Sequence, residues 1–488
     1  MSHPAESRRT DWERLAQAPW QALIVGGGIV GASVARDAAL RGLRVALVDQ
    51  QDFAAGTSSR SSRLLHGGLR YLAQGRVGLV REASHEKRIL GRIAPHLVQP
   101  LEFAFPAYAG SGWPYWQLRA GVKLYDWLCG DGNFQPSRGL SSTELAELAP
   151  GLRSTGLAGG VAYFDALTSD ARLVLDTLHS ARSEGAAALN YVRVQEAAPA
   201  GRERWRCVVE DLRTGATTRL ETAAVVNAAG PWADQFRQAG VHLRHTKGVH
   251  LVFDRERLPV STALVMPHGE RIVFAIPWGC RTYVGTTDTD YAGDLTNPEV
   301  TAEDRSDLLG VLGHFFPDAK LSARDIRASW AGIRPLLQAR GRPSEVARTH
   351  RISWAQPGWL DVAGGKLTTA RLMGEQATDA LVEWLGLPKI PCRTAELLLR
   401  PDAHTGPGDD VLPPVVSRHH VERACREEGA LTLTDLMFHR TSWHYYLSSR
   451  REIAAQAAAW MATALAWNDD HVREELARYI AHLPAGEE

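Results

Sequence analysis

Cysteine is scarce in this chain. Five cysteines, Cys129, Cys207, Cys280, Cys392 and Cys425, are scattered through 488 residues and never form a C-x-x-C pair. Their odd number and wide spacing argue against a disulfide framework and a sequence-local zinc site, and for a reducing compartment. Net charge is missing too, with 55 Lys+Arg against 55 Asp+Glu. No global field therefore draws the chain to nucleic acid. No uncharged apolar run reaches the ~18 residues that a membrane-spanning helix needs. The longest candidate, Ala454–Trp467, is alanine-rich and reads as a packed helix. The N-terminal stretch up to Trp20 lacks an apolar core segment, so no secretory signal is expected. Internal repeats and low-complexity segments are absent as well.

What is present is length enough for two or three domains and a dinucleotide fingerprint. Gly26, Gly28 and Gly31 form G-x-G-x-x-G between the apolar run "ALIV" and a helical stretch, with Gly27 inside the turn. The first glycine allows a tight turn, the second lets a pyrophosphate approach the backbone, and the third lets helix and strand pack closely. The helix N-terminus then offers N–H donors to phosphate. Asp49 ends the next apolar strand, where a carboxylate takes a ribose hydroxyl. These residues leave NAD and FAD both open. Two later turns, "VVNAAGPWA" with Ala229 and Gly230, and "VAGGKLTTA" with Gly364 and Gly365, place small residues after apolar strands. Three such turns suit a long cofactor laid across a sheet, and either later one alone is an ordinary strand-to-helix connection.

The stretch "SSRSSRLLHGGLRYL" (Ser58–Leu72) gathers four serines, three arginines and His66 around Gly67-Gly68. Hydroxyls and fixed positive charges suit phosphates. Taken together with "GTTDTDY", "GIRPL", "GGKLTT", "YFDALTSD" and "ALTLTDLMFHRT", this stretch resembles the FAD-dependent glycerol-3-phosphate dehydrogenases of the D-amino-acid-oxidase-like flavoproteins, in the family's order from about Leu23 to Thr441. The resemblance implies an α/β fold: a Rossmann-like FAD-binding domain, an antiparallel-sheet substrate domain and a C-terminal helical cap. The boundaries expected are 20–110, 150–235 and 330–388 for the discontinuous FAD-binding domain. Residues 111–149 and 236–329 are expected to bind substrate, 389–414 to be a linker, and 415–488 to be a cap that adds little to flavin chemistry. Four positions depart from the family pattern: Ser33 for a glycine, Arg63 for a lysine, Ala370 for a tyrosine and Gly374 for an alanine.

The implied reaction oxidises sn-glycerol 3-phosphate to dihydroxyacetone phosphate and passes electrons to a quinone or a similar acceptor. Close relatives use oxygen, and the sequence does not choose between the two. An oxidase of amino or hydroxy acids is the next reading, and an FAD-holding interaction protein the last. The implied substrate residues are Arg70, Tyr71, Arg334, Arg348 and Lys366. Arginine suits phosphate because its planar fork makes bidentate, charge-assisted bonds. His66, Lys366 and Arg334 are the expected catalytic groups, with His66 or Lys366 as base, since arginine does not deprotonate. FAD would rest on the fingerprint, Asp49, Thr57, Ser58, Ser59, Ser61, Ser62, Ala229, Gly230, Gly364, Gly365, Leu367 and Thr368. No metal is expected.

Eight Lys/Arg against two Glu between Thr57 and Arg92, and the aromatic-rich Gly112–Gly130, suit either anionic headgroups or a charged cleft and a packed core. A cytoplasmic protein, alone or on the inner face of the membrane, is expected, with homodimerisation left open.

Overall fold

The computed structural model describes residues 4–17, 19–73, 75–110, 113–130, 133–201, 203–269, 271–338, 349–400 and 408–483. Its first sheet grows from the fingerprint. Strand β1 (Trp20–Val25) and strand β2 (Val45–Val48) flank helix α1 (Ile29–Leu40). Both strands are almost wholly apolar and buried, as strands of a covered parallel sheet must be.

The chain then leaves for a second sheet through β3 (Leu64–Leu65), helix α2 (Val77–Ile93), β4 (Gln99–Tyr108), helix α3 (Tyr115–Cys129) and β5 (Leu157–Leu167). Helix α4 (Asp170–Ser183) returns it to the first sheet at β6 (Ala187–Leu189) and β7 (Thr217–Asn227). The second sheet resumes with β8 (Leu243–Asp254), β9 (Ala263–His268), β10 (Arg271–Trp278), β11 (Arg281–Gly285) and β12 (Ile326–Leu337). Finally β13 (His350–Gln356), β14 (Trp359–Gly364) and helix α5 (Ala370–Trp384) close the first sheet.

The first sheet has eight strands with the order β13-β14-β7-β1-β2-β6 along its main path. Strands β14, β7, β1, β2 and β6 run parallel, with β13 antiparallel at the edge. Three strand ends therefore converge on one side: Val25, Asn227 and Gly364 each lead into a glycine-bearing turn. The ten-stranded second sheet is largely antiparallel, in the order β8-β11-β10-β9-β4-β5-β3, with β12 on the other side of β8. Strands β4 and β5 belong to it, although the sequence reading grouped 20–110 and 150–235 with the nucleotide-binding segments. Apolar alternation marks a strand, but its sheet is set by a partner far away in the chain.

The C-terminal helices form their own core around Leu436, Met437, Trp443, Met461 and Tyr479. They are not loosely attached. Arg440 donates two hydrogen bonds to Asp52, at 2.6 and 2.8 Å, and Arg172 donates two to Glu428, both at 2.7 Å. Burial works against ionisation of Asp52, yet the charges of Arg440 and His439 hold its carboxyl far below the usual range. Asp52 sits in the loop directly after β2, so the cap grips the nucleotide-binding loop.

Two departures from the family pattern meet in space. A Cβ on Gly374 of α5 would stand 2.6 Å from the backbone carbonyl of Ser33 on α1. The serine and the glycine are thus one complementary pair at a helix crossing.

Candidate active site

The fingerprint turn is built by backbone touching backbone. A Cβ on Gly26 would overlap the carbonyl of Ala228, and one on Gly31 would overlap the carbonyl of Gly26. Gly26 also has φ +113°, which favours glycine. Gly27 N donates to Asp49 Oδ2 at 2.6 Å and Gln51 N to Oδ1 at 2.8 Å. Burial nonetheless pushes the Asp49 carboxyl up to about 7. The second and third turns converge beside it. Ala229 and Gly230 follow β7, and Gly364 ends β14 with Gly365 after it, both of these glycines at positive φ.

These turns wall a cavity of about 980 Å³, bordered by Gly26, Gly28, Asp49, Thr57, Ser58, Ala229, Gly230, Gly364 and Gly365. A second cavity of about 530 Å³ continues from it, and both share Ile29, Thr57, Ser58, Gly365, Lys366 and Leu367. Ser61, Ser62, His66, Tyr71, Arg334 and Thr368 line the second one. An elongated space with a helix N-terminus midway and an acid at one end matches an extended dinucleotide.

The serines divide their work. Ser58 Oγ accepts from Ile29 N at 3.0 Å, at the first residue of α1, where a pyrophosphate would lie. Thr57 Oγ1 donates to Ile333 O at 2.6 Å. Ser61 Oγ donates to Asp170 at 2.7 Å, and Ser62 Oγ lies 2.9 Å from His250 Nε2. Ser59 is buried and borders neither cavity. The expectation that the whole run faces the cofactor therefore narrows to Thr57, Ser58, Ser61 and Ser62 at the cavity wall. A serine run says nothing about which hydroxyls turn inward.

The His-Gly-Gly turn has a physical reason for each glycine. A Cβ on Gly67 would overlap the hydroxyls of Tyr125 and Ser84, and one on Gly68, at φ +81°, would strike the ring of Tyr71. Tyr71 is buried, and Lys366 Nζ lies 4.0 Å above its ring centroid, a cation–π contact. Arg334 projects from β12 with its guanidinium bonded to Asp288 at 3.0 Å and to Thr286 Oγ1 at 2.8 Å. His66, Lys366 and Arg334 thus line one cavity. Arg348 lies outside the described residues. Arg70 opens the short helix Arg70–Ala73, and its side chain lies outside the description too.

Sequence reasoning missed four groups. His250 on β8 lines the cavity and stacks on Trp330, with ring centroids 4.8 Å apart. Burial, then the charges of Arg334 and Arg63, push its imidazole well below the usual range, so it is neutral at physiological pH. No sequence signal marks it, because it is one residue in an ordinary strand. Asp165, Tyr125 and Lys87 form a buried cluster beneath Gly67. Here there was a signal: Asp165 interrupts the apolar run "VAYFDAL", and a buried acid needs partners.

Residues 21–380 match the model of the FAD dependent oxidoreductase family, DAO. The chain belongs to the FAD dependent oxidoreductases. The aerobic glycerol-3-phosphate dehydrogenase of Bacillus subtilis is 41% identical over 364 residues, covering 73% of this chain and 65% of that protein. Glycerol-3-phosphate dehydrogenase 2 of Mycobacterium bovis is 33% identical over 535 residues, covering 99% of this chain and 91% of its own length. Among solved structures, the glycerol-3-phosphate dehydrogenase of Bacillus halodurans complexed with FAD superposes with a TM-score of 0.79 at 28% identity. It covers 98% of this chain and 97% of that one. As an FAD dependent oxidoreductase the chain takes FAD as its cofactor. The residues fit it: the close-packed glycines leave the α1 N-terminus open to a pyrophosphate, and Asp49 stands where a ribose would end.

Proposed function

We propose that this oxidoreductase converts sn-glycerol 3-phosphate to dihydroxyacetone phosphate. The observation that carries the reading is the placement of Arg334 and Lys366 with His66 in one cavity, contiguous with the FAD cleft. The names of the relatives in Bacillus and Mycobacterium point the same way. A phosphate monoester carries nearly two negative charges at neutral pH, and two cations on rigid elements hold it better than the single clamp a carboxylate needs. Arg70 and Arg348 join them on the strength of the family resemblance.

His66 takes the proton of the C2 hydroxyl, a general-base task to which an imidazole is suited. Lys366 donates to the oxygen that becomes the carbonyl, and Tyr71 holds its ammonium from below. Asp288 and Thr286 orient the Arg334 fork before substrate arrives. Bound FAD supplies the two-electron acceptor for the C2 hydrogen. Anaerobic addition of glycerol 3-phosphate to the purified holoenzyme should bleach the flavin absorbance. Absence of bleaching, with an amino or hydroxy acid bleaching instead, would transfer the site to the other class.

For the acceptor, a quinone is favoured by one feature. The cavity that His66 lines is also walled by the apolar Leu69, Leu72, Phe103, Phe105, Leu118 and Val122. Leu118 and Val122 come from α3, which exposes Trp116 at 71%, Trp127 at 75% and Leu124 at 44%. Exposed tryptophans on a helix suit the headgroup layer. Among the described residues no helix is long and apolar enough to cross a membrane. Peripheral contact at α3, on the inner face of a cell membrane, is the arrangement proposed. Sedimentation with anionic vesicles, lost in a Trp116→Ser/Trp127→Ser variant, tests it.

A further inference from the structure

His66 stands at the point where the chain leaves the second sheet. Leu64 and Leu65 of β3 pair with Leu167 and Ala166 of β5, so the next residue along β5 is Asp165. The strand ladder stops there, and side chains take over. Gly67 N donates to Tyr125 OH at 3.0 Å and to Asp165 Oδ1 at 3.2 Å. Tyr125 OH donates to the same Oδ1 at 2.7 Å, and Lys87 Nζ donates to it at 2.7 Å and to Phe164 O at 3.3 Å. On the other side, His66 N donates to Thr368 Oγ1 at 3.3 Å, in the turn that carries Lys366.

Lys87 and Tyr125 are fully buried and Asp165 is 2% exposed. Burying an ion pair and a phenol beside a glycine costs desolvation, and apolar side chains of the same volume would stabilise the fold as well or better. Stability alone therefore gives these residues little reason to be charged. What they supply is a fixed amide: a buried carboxylate, held by an ammonium and a hydroxyl, that admits one orientation of the 66–67 peptide.

We propose that Lys87, Asp165 and Tyr125 are positioning residues that set the direction of His66 relative to Lys366 and Arg334, and so govern the chemical step rather than substrate affinity. This rests on the reading of the site as one that oxidises glycerol 3-phosphate. Lys87 comes from α2, Tyr125 from α3 and Asp165 from β5, so three elements converge on one backbone N–H. None of the three touches Arg334 or Lys366 through a described hydrogen bond, which separates orientation from phosphate binding. A misdirected base slows proton transfer while the phosphate is still held.

Rapid-mixing measurement of anaerobic flavin bleaching by glycerol 3-phosphate tests this in the holoenzyme. Tyr125→Phe should lower the saturating bleaching rate about ten-fold, the worth of one good hydrogen bond in the transition state. Half-saturating substrate and FAD content should stay within about two-fold. Leu308→Ala, which opens a gap in a buried core on the helix Ala302–Phe315 and borders neither cavity, should lower the melting temperature but bleach at the wild-type rate. A Lys87→Met/Asp165→Leu double variant, apolar in place of the ion pair, should fold and show the same rate loss as Tyr125→Phe. A wild-type rate in either variant, or an equal loss of rate in the merely destabilised Leu308→Ala, overturns the proposal. A wild-type protein that glycerol 3-phosphate does not bleach overturns the underlying reading instead.

Discussion

Replacing Arg334 by lysine or glutamine probes the proposed phosphate site most directly. A charge-assisted hydrogen bond is worth roughly 1.5–3 kcal/mol, which bounds the loss between about ten-fold and 150-fold in kcat/KM. The structure narrows that range. Asp288, Thr286 Oγ1 and the carbonyl of Thr287 already receive N–H groups of the fork, at 3.0, 2.8 and 3.2–3.3 Å. N–H groups given to these acceptors serve a phosphate less well. Arg334→Gln should therefore lose about ten- to thirty-fold for glycerol 3-phosphate, the lower part of that span. Arg334→Lys should recover some of it, because an ammonium keeps the charge without the fork. Turnover of glycerol, which has no phosphate, should lose much less in both variants. Removing the cation also leaves Asp288, 10% exposed, without this partner, so Arg334→Gln/Asp288→Asn separates a stability loss from a binding loss. Steady-state kinetics on both substrates, with flavin occupancy measured in parallel, decides it. Equal losses for glycerol and its phosphate would sink the assignment, and lost flavin would move Arg334 to the cofactor.

Gly374→Ala should destabilise the protein by about 1–3 kcal/mol, since its Cβ would press on the Ser33 carbonyl and on the Ser33 Cβ, 2.8 Å away, and the helices must shift. Thermal unfolding followed by flavin release should show it, with a smaller drop when Ser33→Gly is combined; equal drops would refute the pairing. The FAD-free protein should lose stability as pH rises from about 4 to 7, because folded Asp49, raised to about 7, binds its proton more tightly than the unfolded chain. The contribution is on the order of 4 kcal/mol, present below the unfolded pKa and gone above about 7. Melting temperatures at pH 5 and 8 should differ less in Asp49→Asn, and an unchanged slope would exclude the group. Arg440→Leu should leave buried Asp52 poorly compensated and loosen the loop after Asp49. FAD should then dissociate more readily in ultrafiltration, whereas wild-type retention would mark the cap as independent of the cofactor.

Much of the first sheet could be read from local chemistry. The spacing of Gly26, Gly28 and Gly31 after an apolar strand, and Asp49 at the end of the next, encodes a βαβ unit because strand, turn, helix and strand lie within about thirty residues, although the backbone that crowds Gly26 is that of distant Ala228. The later turns at Ala229 and Gly364 were legible as glycine turns, yet their convergence on one cleft depends on β14, β7 and β1 being parallel neighbours. Composition cannot report that order. The serine run identified a polar loop, and only the fold assigned Ser61 to Asp170 and Ser62 to His250 while Ser58 faced the helix end. Tertiary packing also decided His250, whose neutrality comes from burial and from two arginines distant in sequence. The same holds for the cap. Its helical character was expected from the family resemblance and the alanine-rich Ala454–Trp467, but Arg440 meets Asp52 across 388 positions, where no sequence pattern reaches. Local steric rules fix turns and strands, and long-range pairing decides which charges share a cavity.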